Sequence, residues 1–396
     1  MSSRKSRKKH ILLAVKLVLA LALLAWVFSS VPFRDYVRSS EGQDWPVLEQ
    51  SIRDGQTVYT VNTGSIFSVQ TRQVPADQLE PVSPDQPQRV VRPGFLTNLK
   101  TVNKLLLLVG LAGFAASIVC ISIRWRSILK LQGVRISRWE ALRLTFLGEF
   151  FSQVIPGTVG GDLVKAYYVS RHTHQRSGVL ASVFVDRMMG LTGLAVLATV
   201  MTLVVLAVGL EDPQTIGKSF VAAVVLLGCV GLALMLMLSR RLRRWLRIGR
   251  ILEKLPIAGH LDELREVVTR YRQHLGRFLV PAALTILAHT LWITGMMLIG
   301  LSLNLPTAWY RYFIYVPLIY IIGAVPITPG GVGLVEKLYL TFFAVDPAGV
   351  VALALLVRLM RIIVPLPGLL VALTGPKIPK VEDMEAQLGI EAETAE

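Results

Sequence analysis

The chain has 396 residues, 53% of them hydrophobic, with a mean hydropathy of +0.55 and a net charge of +16. That balance excludes a soluble domain with one large core and points to a polytopic membrane protein. The charge does not argue for nucleic acid as a partner. Most of the excess sits beside apolar spans, where it reads as positive-inside topology and contact with anionic lipid.

In chain order, residues 1–30 hold a basic stretch, Arg4 to Lys9, and an apolar run from Ile11 to Ser30. No clean small-residue cleavage site follows, so this is expected to be a retained first span with its N-terminus in the cytoplasm. Residues 31–101 mix both charge signs and are expected outside as a small extracytoplasmic insertion. Within it, Val58 to Val69 surrounds Asn62-Thr63-Gly64-Ser65 with Thr, Val, Tyr and Phe, which predicts a β-hairpin. The proline-rich stretch 75–93 reads as an extended linker. The insertion is too short and polar for a large core of its own. Spans follow at 103–123, 179–209 and 219–238, closing a first half over 102–238. The loop 124–140 carries Arg124, Arg126, Lys130, Arg135 and Arg138 and is expected inside.

Residues 239–278 are a basic cytoplasmic loop. Arg240, Arg241, Arg243, Arg244 and Arg247 alternate with Leu242, Trp245 and Leu246, the pattern of an interfacial helix on anionic headgroups. Leu261, Leu264, Val268, Tyr271 and Leu275 then mark an amphipathic helix. A second half, 279–376, holds spans at 279–301 and 348–374. The acidic tail, 377–396, is expected to be disordered. Cys120 and Cys229 both lie in apolar spans, so neither a disulfide framework nor a cysteine-rich metal site is expected. His172 and His174 lack a third ligand nearby. No metal and no cofactor are predicted.

Two apolar regions, 141–168 and 312–345, are broken in nearly the same way. The first reads Pro156-Gly157-Thr158-Val159-Gly160-Gly161-Asp162, with Lys165 beyond. The second reads Pro329-Gly330-Gly331-Val332-Gly333, with Glu336 beyond. Proline removes a backbone donor and glycine accepts positive φ, so each motif interrupts a helix. Lipid cannot satisfy the freed groups, so such breaks survive only where protein or a cavity surrounds them. The loop charges balance only if each broken region enters and leaves on one face. The expected fold is therefore an all-α polytopic membrane protein. It has six full transmembrane helices plus two re-entrant helical hairpins in an inverted repeat, with both termini cytoplasmic in the cell membrane. Matched breaks in two inverted halves mark a transporter binding site.

A helix restarting after Pro-Gly presents free N–H groups and a positive dipole end, suited to a phosphate. The candidate transport residues are Glu149, Pro156, Gly157, Gly160, Gly161, Asp162, Lys165, Asp186 and Arg187 in the first half. In the second they are Pro329, Gly330, Gly331, Gly333, Glu336, Arg358 and Arg361. Plainer roles stand beside these. Asp162 and Lys165 at i,i+3 can be a structural ion pair. Asp186-Arg187 can snorkel to the interface. Glu336 can cap the helix that follows it. His289, with Trp292 at i+3, reads as a packing histidine before a proton relay.

The run from Gly148 to Arg171, the Asp186-Arg187 pair and Pro329 to Glu336 resemble the three signatures of the lysylphosphatidylglycerol synthase transmembrane region, a family also called flippase-like. The resemblance covers about 100–375. Asp186 stands where the family usually has Glu, and Lys165 where Arg is common; the charge is kept but Lys lacks the bidentate fork. The resemblance implies a domain that moves an anionic phospholipid or lipid-linked cargo between leaflets. Its best-known members carry a cytosolic synthetase, which is not expected here, and no enzymatic activity is predicted. The competing readings are a small-solute or ion secondary transporter and an isoprenoid-diphosphate phosphatase. The latter would need a nucleophile or base beside the break, where Thr158-Val159-Gly160-Gly161 stands. No Walker-type loop occurs, so direct ATP use is not expected. A homo-oligomer, or a partner at the insertion, stays open.

Overall fold

In the computed structural model, the described residues are 32–39, 43–53, 56–64, 70–81, 90–154, 160–171, 176–238, 275–325 and 327–374, with 18 and 173 as isolated positions. The first apolar run, the first Pro-Gly break at 155–159, the basic stretch with Arg240, Arg241, Arg243, Arg244 and Arg247, and the acidic tail lie outside them.

The chain divides into two compact units. One comprises Met1–Leu108, Met297–Thr307 and Val332–Val357. The other comprises Val109–Met296, Ala308–Gly331 and Arg358–Glu396.

The first unit holds the insertion. It is an antiparallel sheet of β1 (Tyr36–Ser39), β2 (Asp44–Arg53), β3 (Gln56–Asn62), β4 (Thr71–Pro75), β5 (Leu79–Glu80) and β6 (Val91–Arg92). The order is β4-β3-β2-β1-β5, and β6 also pairs with β1. β3 contains the first arm of the expected hairpin; the second arm, up to Val69, lies outside the described residues, and β3 pairs with β4, in register from Asn62↔Thr71 to Val58↔Pro75. This pair is one part of a six-stranded sheet, larger than the single hairpin expected. The supposed linker also contributes strand, because β5 and β6 both pair with β1. Alternation along each strand puts Val37, Tyr59, Val61, Val74, Leu79 and Val90 into one small apolar core.

Tyr36, next to Val37, is also fully buried, and its hydroxyl donates to Asp346 Oδ1 at 3.0 Å. Asp346 is the cap of the helix that starts at Pro347, accepting from the Ala348 N–H at 3.1 Å. Burial raises both groups above their ordinary values, and for Tyr36 the neighbouring Asp346 charge adds to it.

The helices are α1 (Phe95–Lys100), α2 (Lys104–Leu131), α3 (Arg138–Val154), α4 (Gly160–Ser170), α5 (Arg176–Val208), α6 (Pro213–Leu238), α7 (Leu275–Ser302), α8 (Trp309–Gly323), α9 (Leu334–Phe343), α10 (Pro347–Ile363) and α11 (Pro367–Thr374). Among the described residues, four stretches are long and apolar enough to cross a membrane: Lys104–Leu131, Gly178–Val208, Gly276–Ser302 and Pro347–Leu373. The span expected at 219–238 lies in α6, where Ser219–Gly228 is a shorter apolar stretch. The loop expected from residue 124 begins later. α2 stays helical to Leu131, about 42 Å of helix for its 28 residues. Trp125, Ile128 and Leu129 continue the buried face, and Arg124 is buried with them.

The second unit packs α3 on α4, α4 on α5, α5 on α6 and α8, and α11 on α3. Its apolar centre joins Trp125, Leu129, Leu144, Leu147, Val164 and Val179. Glycine sets the closest approaches. A Cβ on Gly295 of α7 would stand 2.8 Å from the Gly110 carbonyl of α2, and one on Gly113 would stand 3.0 Å from the Leu291 carbonyl. Between apolar helices such small-residue crossings provide packing where burial from water gives none.

The second break is a 3-10 turn at Pro329–Gly331 between α8 and α9, with φ of 60° at Gly330, 68° at Gly331 and 78° at Gly333. Those angles are the physical reason for the glycines. Region 309–343 runs helix, break, helix, as its motif predicts; in region 138–170 the described residues are the helices on either side of 155–159.

Candidate functional site

α4 brings its charges to one place because it starts at Gly160. Asp162 falls in its first turn, where an acid suits the positive helix end, and Lys165 lies one turn further along the same face. α3 lies so close that a Cβ on Gly161 would overlap the Gly148 carbonyl at 1.9 Å. A Cβ on Gly148 would meet the Lys165 stem at 2.7 Å. Gly148 and Gly161 thus let the two helices touch and press Lys165 towards α2. There its Nζ sits 5.0 Å from the centre of the Trp125 ring, a cation–π contact.

Lys165 Nζ donates to Asp162 Oδ1 at 2.8 Å, and Arg187 Nε of α5 donates to Asp162 Oδ2. One residue earlier on α5, Asp186 Oδ1 accepts from Arg124 Nε of α2 at 2.7 Å. Arg124 Nη1 reaches the Thr285 hydroxyl of α7 at 3.3 Å. Neighbouring residues of one helix turn thus anchor two ion pairs, one to α4 and one to α2. The side chains of Arg124, Asp162, Lys165 and Asp186 are nearly sealed, whereas Arg187 is 45% exposed. Glu149 of α3 is half-buried and lies within electrostatic range of Lys165 and Arg187.

A lone charge among apolar helices costs at least about 2.5–3.5 kcal/mol, so each cation here needs its carboxylate. The arrangement can hold an anion only by exchange. An incoming oxyanion must take a cation from a carboxylate that already holds it.

The structure therefore brings Gly161, Asp162, Lys165, Asp186 and Arg187 together, with Gly160 opening α4 and Glu149 at the margin. Pro156 and Gly157 lie outside the described residues. Other candidates have different local partners. Arg358 points its two terminal nitrogens at the Gly330 and Gly331 carbonyls, each at 3.5 Å, the long limit of a hydrogen bond. Arg361 stacks over Tyr320 at 5.3 Å. Glu336 is buried, and its Oε2 accepts from the Gly333 N–H at 2.8 Å, the capping geometry. His289 Nε2 lies 3.0 Å from the Gly190 carbonyl, and its ring neighbours Trp292. Among the described residues no group of His, Cys, Asp and Glu could hold a metal ion.

Sequence reasoning missed Arg124, Trp125 and Thr285. The signal was present, because apolar residues keep helical spacing past Arg124 as far as Leu131. Arg124 was read by its charge as the start of a loop.

The apolar helices, with a charged cluster buried among them, define an integral membrane protein. The family model for the lysylphosphatidylglycerol synthase TM region matches residues 94–368. The chain belongs to that family, which connects it with membrane lipid. Comparison with curated proteins gives no match.

Proposed function

We propose that this protein is a flippase-like transporter that moves an anionic phospholipid or lipid-linked cargo between leaflets. Its two broken helices act as paired re-entrant hairpins in inverted halves. One observation carries the reading: the buried exchangeable ion pairs around Asp162, reached through the half-exposed Arg187. Intramembrane charges of this kind mark substrate pathways, and purely structural ones are expensive to keep. In this scheme the headgroup phosphate docks at Arg187 while Asp162 falls back on Lys165. Alternation of the two halves then turns the loaded site to the other leaflet. Arg358 supports the second break by holding the carbonyls that its glycines expose.

The test is reconstitution into liposomes with fluorescent phospholipid, following label accessible to dithionite. Asp162→Asn and Arg187→Gln should each slow lipid movement at least tenfold, with the protein still monodisperse in detergent. Lipid movement at the wild-type rate in both variants would refute the site. Flux of a small ion or solute without lipid movement would favour the secondary-transporter reading.

A further inference from the structure

We propose that Trp125 is a positioning residue for headgroup docking: its indole N–H replaces Arg187 as the second donor to Asp162 when an anionic, phosphate-bearing headgroup draws Arg187 away. The inference rests on the lipid-transport reading and adds to it how the resting ion pair can open.

Tryptophan carries one polar atom, a donor that cannot accept. In α2 that donor is idle. Trp125 is fully buried, and among the described residues its Nε1 has no hydrogen-bond partner. A buried donor left unmade costs stability, and folded proteins keep few of them. The ring belongs to the charged cluster. Lys165 Nζ stands 5.0 Å from its centre and 2.8 Å from Asp162 Oδ1, so the indole and the carboxylate both lie against one ammonium. The neighbouring donors are committed. Lys165 serves Asp162; Arg124, next to Trp125 in sequence, serves Asp186 at 2.7 Å and reaches Thr285 at 3.3 Å.

At rest Asp162 has two donors, Lys165 on Oδ1 and Arg187 on Oδ2. Arg187 is the one a headgroup reaches, because Lys165 keeps only 4% of its side-chain surface. Departure of Arg187 leaves Oδ2 without a donor in a nearly sealed, apolar setting, where an ionised carboxylate needs one. The Trp125 N–H supplies it. In the resting state Oδ2 is satisfied and the indole is not. In the loaded state both are satisfied, and Arg187 belongs to the phosphate. No proton moves and no covalent bond changes. The idle donor raises the resting state towards the loaded one and so lowers the cost of opening the pair.

The experiment follows the indole N–H signals of the full chain, isotope-labelled at tryptophan, by NMR in detergent micelles. The Trp125 signal is the one lost when position 125 carries benzothienylalanine, which has sulfur in place of N–H and nearly the same shape. Arg187→Met keeps the stem and removes the donors, freeing Oδ2 with no lipid present. Its Trp125 signal should lie downfield, in the hydrogen-bonded range, while the wild-type signal should not. Phosphatidylglycerol should move the wild-type signal the same way, and zwitterionic phosphatidylcholine should leave it in place. The benzothienylalanine protein should be at least as stable as wild type, by circular dichroism during SDS titration, since it loses only an unmade donor. In liposomes with little phosphatidylglycerol it should move that lipid at least about tenfold more slowly, the scale of one hydrogen bond to a charged group.

A Trp125 signal unmoved in Arg187→Met overturns the inference, whatever the lipid does. So does a wild-type signal already downfield without lipid, as a structural water would give, or a benzothienylalanine protein that is less stable. A shift in Arg187→Met but none with phosphatidylglycerol keeps Trp125 as the replacement donor and overturns headgroup docking at Arg187. Inorganic phosphate shifting the wild-type signal where phosphatidylglycerol does not keeps the exchange and overturns lipid as the source of the phosphate.

Discussion

Replacing Arg124 by Met should be among the most damaging single changes outside the Pro-Gly motifs. Methionine approximates the length of the arginine stem and removes the charge. It leaves Asp186, whose side chain is 7% exposed, facing apolar helices without its 2.7 Å partner. Removing one member of a buried pair typically costs about 3–5 kcal/mol, because the survivor stays buried and uncompensated. The Thr285 hydroxyl also loses the 3.3 Å contact to Arg124, although it keeps its bond to the Pro281 carbonyl. The partner change Asp186→Leu strands Arg124 in the same way. The double variant removes both charges and should cost less than either single change, so that the two losses are strongly non-additive, as expected of residues in contact. Unfolding of the purified protein in mixed detergent–SDS micelles, followed by tryptophan fluorescence, measures all four corners of this cycle. Losses that simply add, or singles that cost under about 1 kcal/mol as an exposed pair would, would refute the picture of a sealed interhelical ion pair.

Gly161→Ala should prevent α3 and α4 from closing, since the new Cβ would overlap the Gly148 carbonyl. Folded yield in fluorescence-detected size exclusion should collapse, while Gly217→Ala, with open space around it, should keep normal yield. Ala344 caps α9 with φ of 44°, so Ala344→Gly should raise stability by about 1 kcal/mol in the same micelle assay by removing left-handed strain. Asp346 holds its proton more tightly folded than unfolded. Its stabilisation is complete below the ordinary carboxylate value of about 3.9 and is lost as pH rises through the raised folded value. Asp346→Asn should remove that slope from melting temperature against pH.

The second break was legible because its chemistry is local: positive φ at Gly330, Gly331 and Gly333 is what a Pro-Gly-Gly-Val-Gly run demands. Asp162 and Lys165 were legible for the same reason, as neighbours one helical turn apart. The pairing of Asp186 with Arg124 was not, because it joins residues 62 apart on different helices, and no spacing rule reaches that far. Reading Arg124 by loop charge failed because a cation can stay within an apolar helix when another helix supplies its carboxylate. The sheet was half legible. β3 lies in a run rich in Val, Tyr and Thr, whereas β5 and β6 are two residues each, too short for alternation to register. They are strands only because each pairs with part of β1.

The glycine crossing of α2 and α7 bears on how such a molecule can move. Where Gly110 and Gly295 bring backbone against backbone, there is no layer of side chains to slide or repack, so the two helices must travel as one piece. The stroke of the transport cycle proposed above would have to be taken up at joints with more give between their parts. Widening this crossing would therefore be a poor way to speed the protein up, and a bulky residue at Gly295 should loosen the frame against which the moving parts push.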